Sequence, residues 1–299
     1  MFPKPKGLVG VGFIQCFLAL FFVLWFFIFP QYGIYFAWPV RPELTALFLG
    51  SGFIMRSFYG YHLWREKDWY KLRWIVPGDY IFLGVLFITT WWHIYEMNWT
   101  IVGVDKYAPL RIFCLIMAHV WVLAYTFEGI TVFLLEPRGE NKAAAEAPIP
   151  ANLSEGPLQP LTKWVLLAVF YLGTIMFGLL FFDPTFANFR WPWDLNAFDS
   201  RIMSAFAAGA GAWAATMYFK KDWAEIKIGY IGITLFNTGL ALMSIVTFFI
   251  HREWWVAGRN NIPTFILGMA VYAIALWYCY WKQESAKKSL PAPATKKNK

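Results

Sequence analysis

The stretch LVGVGFIQCFLALFFVLWFFIF, residues 8–29, decides the fold. It runs for 22 residues without a charged side chain. A bilayer's hydrocarbon layer is crossed by about 20 apolar residues in a helix. A secretory leader usually has a shorter apolar run of about 7–15 residues followed by a small-residue cleavage site, and neither feature fits here. The stretch therefore reads as a retained first transmembrane helix. Working outward, seven further apolar runs follow, at 45–64, 78–97, 110–135, 164–182, 202–219, 228–250 and 264–281. The expectation is an all-α integral membrane protein of eight transmembrane helices.

Composition agrees. Of 299 residues, 59% are hydrophobic, 21% are Phe, Trp or Tyr and only 15% are charged, against about 25% charged in soluble domains. This excludes a soluble enzyme, a disordered chain and a disulfide scaffold. Cys16, Cys114 and Cys279 each lie in an apolar run with no CxxC spacing, so they read as packing residues. The net charge of +8 sits in short segments between apolar runs, which argues against nucleic acid as a partner and for a topological role. With the amino terminus cytoplasmic, the inner segments carry 18 of the 26 lysines and arginines, so both termini are expected in the cytoplasm. A bacterial cytoplasmic membrane is the favoured location, with the endoplasmic reticulum as the alternative suggested by the final KKNK.

The segment 136–163, EPRGENKAAAEAPIPANLSEGPLQPLTK, is rich in Pro, Ala and Glu and reads as a flexible cytoplasmic linker. It divides a first four-helix repeat, 1–135, from a second, 164–281. A basic tail, 282–299, suits contact with anionic lipids. Two motifs recur at nearly one offset: FAWP at 36–39 returns as FRWP at 189–192, and Lys67-Asp68-Trp69 returns as Lys221-Asp222-Trp223. This points to two tandem, parallel repeats. Trp38 and Trp191 at one interface, and Trp69 and Trp223 at the other, are expected to anchor helix ends at headgroup level.

Ionisable residues at membrane depth are costly and therefore informative. Arg56 and Glu128 fall at matched depth in the second and fourth helices, and are expected to form an ion pair facing the bundle interior. The pair is either a structural clamp or a ligand site in which Arg56 binds an anion. His93 and His119 fall at similar depth in adjacent helices. They would ligate a haem or chlorophyll-type pigment, share a metal with Glu96, or simply pack. Asp79 and Asp183 read as helix-end caps. His62 with Glu66, and His251 with Glu253, read as interfacial clusters. Gly209 and Gly211 in the sixth apolar run suit close packing at the seam between the halves, or a homodimer contact.

No phosphate-binding loop, HExxH or DxxxD pair occurs in the sequence. Three functions remain. One is a non-enzymatic binding, carrier or accessory subunit for an amphipathic or anionic small molecule, with other membrane subunits as partners. The others are a haem- or pigment-binding redox subunit using His93 and His119, and a lipid-modifying enzyme.

Overall fold

The computed structural model describes residues 6–99, 108–135, 147–255 and 261–288, and among these it is helical, without strands. The helices are α1 (Lys6–Ile28), α2 (Glu43–Arg65), α3 (Ile75–Trp92), α4 (Ala108–Leu135), α5 (Pro160–Phe182), α6 (Pro184–Arg190), α7 (Ala197–Tyr218), α8 (Trp223–Ile250) and α9 (Ile262–Lys288). Residues 136–146 of the linker and 289–299 of the tail, where anionic lipid contact was expected, lie outside the described residues.

Helix starts follow local chemistry. Pro160 and Pro184 open α5 and α6, where a missing N–H costs nothing. Asp183 caps α6 by accepting from Phe186 N–H, and Asn196 caps α7 by accepting from Asp199 N–H at 2.7 Å. Asp222, from the repeated Lys-Asp-Trp motif, caps α8 by accepting from Ala224 N–H at 2.9 Å. The short α6 was not expected from the sequence. It arises because Asp183-Pro184 stops one helix and starts another.

Six helices are long and apolar enough to cross a membrane: α1, α3, α4, α5, α8 and α9. The eight apolar runs thus become eight long helices, of which α2 and α7 are not apolar enough to qualify. Position explains the difference. Fifteen of the 23 residues of α2 and fifteen of the 22 of α7 are buried. Helices shielded by protein on most sides need little apolar surface. By contrast, α5 and α9 bury little and line their flanks with exposed Tyr171, Ile175, Leu267 and Ile274.

The inner bundle is therefore α2, α3, α7 and α8, with α1 and α4 against one side and α5 and α9 against the other. Lipid tails are as apolar as a protein core, so close packing rather than hydrophobicity must hold such helices together. Backbones accordingly touch where glycine permits. A Cβ on Gly12 would lie 2.5 Å from Trp64 N, joining α1 to α2, and one on Gly173 would lie 2.6 Å from Ala207 O, joining α5 to α7. Gly211 serves this α5–α7 contact. Gly209 meets Phe82 of α3, so only part of the glycine-rich stretch lies on the seam.

That seam is interdigitated. The Tyr59 ring of α2 fills the space over Gly232 of α8 while its hydroxyl donates to Gly229 O at 2.9 Å. The Trp213 indole of α7 fills the space over Gly78 of α3 and donates to Ile75 O at 3.0 Å. The two rings meet edge to face at 5.2 Å. At one end of the bundle the loops cross reciprocally: Trp38 Nε1 donates to Asp199 of α7 at 2.7 Å, and Trp193 Nε1 donates to Thr45 of α2 at 3.0 Å.

The expectation of a flexible linker needs correcting for residues 147–159. Ser154 Oγ bonds the Asp222 carboxylate, Leu158 N–H donates to Lys221 O, and Gln283 takes Gln159 N–H at 2.8 Å while donating to Pro157 O. Arg73 donates to Ala147 O at 2.7 Å and pairs with Glu225. The ties run mainly through side chains of the surface beneath, Arg73, Asp222 and Gln283, with Ser154 among the segment's own contributions.

Candidate functional site

Each helix of the first half sends one polar side chain to a common point. Arg56 of α2 stands between Asp79 of α3, Nη1 to Oδ1 2.6 Å, and Glu128 of α4, Nη2 to Oε1 2.8 Å. Gln15 of α1 donates its amide to the same Glu128 oxygen at 2.8 Å. Side-chain exposure is 3% for Arg56, 2% for Asp79 and 16% for Glu128. The guanidinium also lies 4.6 Å from the centre of the Phe82 ring and 5.9 Å from that of Trp213, so aromatic faces close the sides its carboxylates leave open. At 1.5 Å per residue, Glu128 lies about 10 Å from the carboxyl end of α4.

Asp79 is not the cap expected of it. The helix begins at Ile75, so Asp79 is its fifth residue, and its carboxylate turns inward to the guanidinium. Sequence reasoning matched one cation with one anion and stopped there. The missed signals were Asp79 inside an apolar helix rather than at its start, and Gln15 as the single amide of residues 8–29.

His93, Glu96 and His119 are arranged differently from the expected ligand set. His93 is the C-cap residue that closes α3, because the helix ends at Trp92. Its Nε2 accepts from Arg201 Nη1 at 2.7 Å, since a guanidinium only donates, and its Nδ1–H then donates to Glu96 Oε1 at 2.6 Å. The ring stacks on Phe198 at 4.8 Å, and Arg201 lies 4.3 Å over Trp92. Both imidazole nitrogens are thus occupied. His119 faces outward on α4, its Nδ1 bonded to Leu115 O at 2.7 Å and its ring edge-on to Trp99. No hydrogen bond or ring contact joins the two histidines, and among the described residues no group of three His, Cys, Asp or Glu is placed to hold a metal. The two imidazoles are therefore not placed as a pair of axial ligands to one macrocycle. His93→Ala is expected to lower stability by about 1–3 kcal/mol, by leaving Arg201 Nη1 without its acceptor while Nε keeps Phe181 O. His119→Ala should shift it by about 0.5 kcal/mol or less. Thermal unfolding in detergent checks both, and a Soret band lost on His93→Ala would overturn the assignment.

The four expected interface anchors are buried instead: Trp38 at 1% exposure, Trp69 at 3%, Trp191 at 7% and Trp223 at 0%. Trp38 pins one half to the other through Asp199, and Trp223 pins α8 to the end of α9 through Glu284 at 2.6 Å. An indole with a protein acceptor inside the bundle has no reason to seek the headgroups. Rings that do stand at the surface include Trp92, Trp164 and Trp281.

His62 keeps to the end of α2, near the Glu66 turn, where Glu66 accepts from Lys67 and Asp68 N–H and pairs with Lys71 at 3.4 Å. Burial pushes the Glu66 carboxyl up, but these donors outweigh it and hold it below the usual range. His251 and Glu253 form an exposed pair at 3.1 Å. Among the described residues, shallow recesses open at the bundle ends. One of about 540 Å³ is lined by Arg73, Ser154, Lys221 and Glu225, and one of about 440 Å³ by Trp38, Arg41, Glu96 and Asn196.

No family model matches the chain, and neither a curated protein nor a solved structure matches it.

Proposed function

We propose that this multi-pass membrane protein works without catalysis, as an accessory or binding subunit of a membrane assembly, and that all eight long helices span the bilayer as two duplicated halves. The interdigitated seam carries the reading. A carrier that rocks one half against the other needs an interface that can slide. Here Tyr59 and Trp213 are sunk in glycine notches of the opposite half, and paired tryptophan hydrogen bonds cross the boundary. Such an interface favours a fixed scaffold.

Duplication is supported by one spacing that recurs through the seam. Tyr59 and Trp213 are 154 residues apart, and so are their acceptors Ile75 and Gly229, the notches Gly78 and Gly232, and the indole acceptors Thr45 and Asp199. The weaker apolarity of α2 and α7 is consistent with spanning helices sheltered by neighbours. Four spans per half would make the repeats parallel, about an axis along the membrane normal. The excess of inner-side lysine and arginine supports cytoplasmic termini, with a bacterial cytoplasmic membrane preferred over the endoplasmic reticulum. Other integral subunits, rather than a homodimer, are the partners that a scaffold implies.

An anionic ligand at Arg56 is disfavoured, because both guanidinium arms already hold carboxylates. Lipid modification is disfavoured too, since the inner-interface carboxylates Glu66 and Asp68 are taken up by the turn around Lys71.

Spin labels on the exposed positions Arg65→Cys and Lys221→Cys, one in each half, test the scaffold in liposomes. A single narrow distance distribution is expected. Two exchanging populations would replace the scaffold with a carrier.

A further inference from the structure

Asp79 and Glu128 share one guanidinium, so the fully ionised trio would leave a surplus negative charge inside the bundle. An uncompensated ion at that depth is neutralised, and a proton is the simplest means. The two carboxyls are not equivalent. Asp79 is 2% exposed and makes the shorter contact with Arg56, 2.6 Å against 2.8 Å. Glu128 gathers both of its donors, Arg56 Nη2 and Gln15 Nε2, on Oε1. Among the described residues its Oε2 has no hydrogen-bond partner, and the side chain is 16% exposed. That is the arrangement of a carboxylic acid whose carbonyl oxygen accepts two bonds while its hydroxyl points elsewhere. The groups facing it are Arg56 from α2, Asp79 from α3, Gln15 from α1 and, on its own helix, Tyr125. Exposed apolar residues stand next in sequence to Glu128 and to its partner Gln15, Phe127 on α4 and Ile14 on α1, so the surface around the free edge is apolar, as suits lipid rather than bulk water.

We propose that Glu128 is a membrane-facing, proton-carrying acid, exchanging its proton between α1 and α4 while Asp79 remains the permanent counter-ion of Arg56. The inference rests on the membrane-spanning reading above. It makes the cluster a site for a proton, or for a cationic or hydrogen-bond-donating group, and not for an anion.

A hydrophobic carbodiimide reports such an acid directly. The carboxyl O–H adds across one C=N bond: the oxygen joins the central carbon and the proton goes to nitrogen. The acyl group then migrates to nitrogen as a stable N-acylurea, with no oxidant or reductant needed. Full-length protein in liposomes, treated with dicyclohexylcarbodiimide and digested for mass spectrometry, is expected to carry the adduct on Glu128 and none on Asp79. Labelling should fall as pH is raised and vanish in Glu128→Gln. As a second measurement, Glu128→Gln, which preserves the accepting oxygen and removes no charge from a protonated acid, should melt with the wild type. Asp79→Asn should melt several degrees lower. An unlabelled Glu128 in folded protein, labelling of Asp79 in its place, labelling indifferent to pH, or equal destabilisation by the two variants would each overturn the proposal. Equal labelling by a water-soluble carbodiimide would instead put Glu128 in water and overturn the membrane-spanning reading beneath it.

Discussion

Arg56→Met is expected to lose about 3–5 kcal/mol of stability, the cost of removing one partner from a buried ionic network. Methionine fills much of the space under Phe82 and Trp213, so the loss reflects the stranded anion more than a cavity. The second substitution decides the interpretation. Arg56→Met with Asp79→Asn should recover most of the loss, because the remaining polar groups are then neutral. Arg56→Met with Glu128→Gln should recover little, because Asp79 keeps its charge. Fluorescence-detected gel filtration after heating measures all three against the wild type. A folded, fully stable Arg56→Met would sink the clamp and make Arg56 available for other work.

The next largest effect is expected at the seam. A Cβ on Gly78 would fall on the Trp213 indole, and one on Gly232 on the Tyr59 ring. Neither ring can retreat, because each is fixed by a hydrogen bond to a backbone carbonyl and by the other ring. Overpacking a core typically costs about 1–3 kcal/mol. Gly78→Val and Gly232→Val should each reach or pass the top of that range, and by similar amounts, since they disturb matching contacts. Gly84, on the same helix as Gly78, has nothing within 4 Å of where a Cβ would stand. Gly84→Ala should therefore be neutral or gain about 0.5–1 kcal/mol from reduced backbone freedom. Thermal unfolding of the three variants is the measurement. Mild effects at both seam glycines would argue for a boundary able to slide.

Hydrophobic run length made the helices legible, because lipid demands it. Where protein replaces lipid the demand lapses, so α2 and α7 carry weaker signals although they lie at the centre. The Arg56–Glu128 contact could be anticipated from matched depth along two helices. The part played by Asp79 could not, because its inward turn depends on α3 beginning at Ile75, before the apolar run counted from 78. The tryptophans misled for a related reason. An indole at a helix end suits headgroups and buried carboxylates equally, and only the fold brings Asp199 to Trp38 and Glu284 to Trp223. His93 needed Arg201, 108 residues away, to reveal which of its nitrogens accepts.

The spacing of the buried cluster also bears on how the chain is made. Arg56 leaves the ribosome 23 residues before Asp79 and 72 before Glu128. At a synthesis rate of about 5–20 residues per second, those gaps last about 1–5 s and about 4–14 s. For a chain threaded into a bilayer during translation, a half-polar helix bearing an unmatched cation must wait through that interval beside the insertion machinery. Its release into lipid is then timed by the arrival of the third helix, which brings Asp79 as its counter-ion. Biogenesis of this protein would thus have a built-in checkpoint, at which a nascent chain halted before residue 79 remains with the translocon or is degraded.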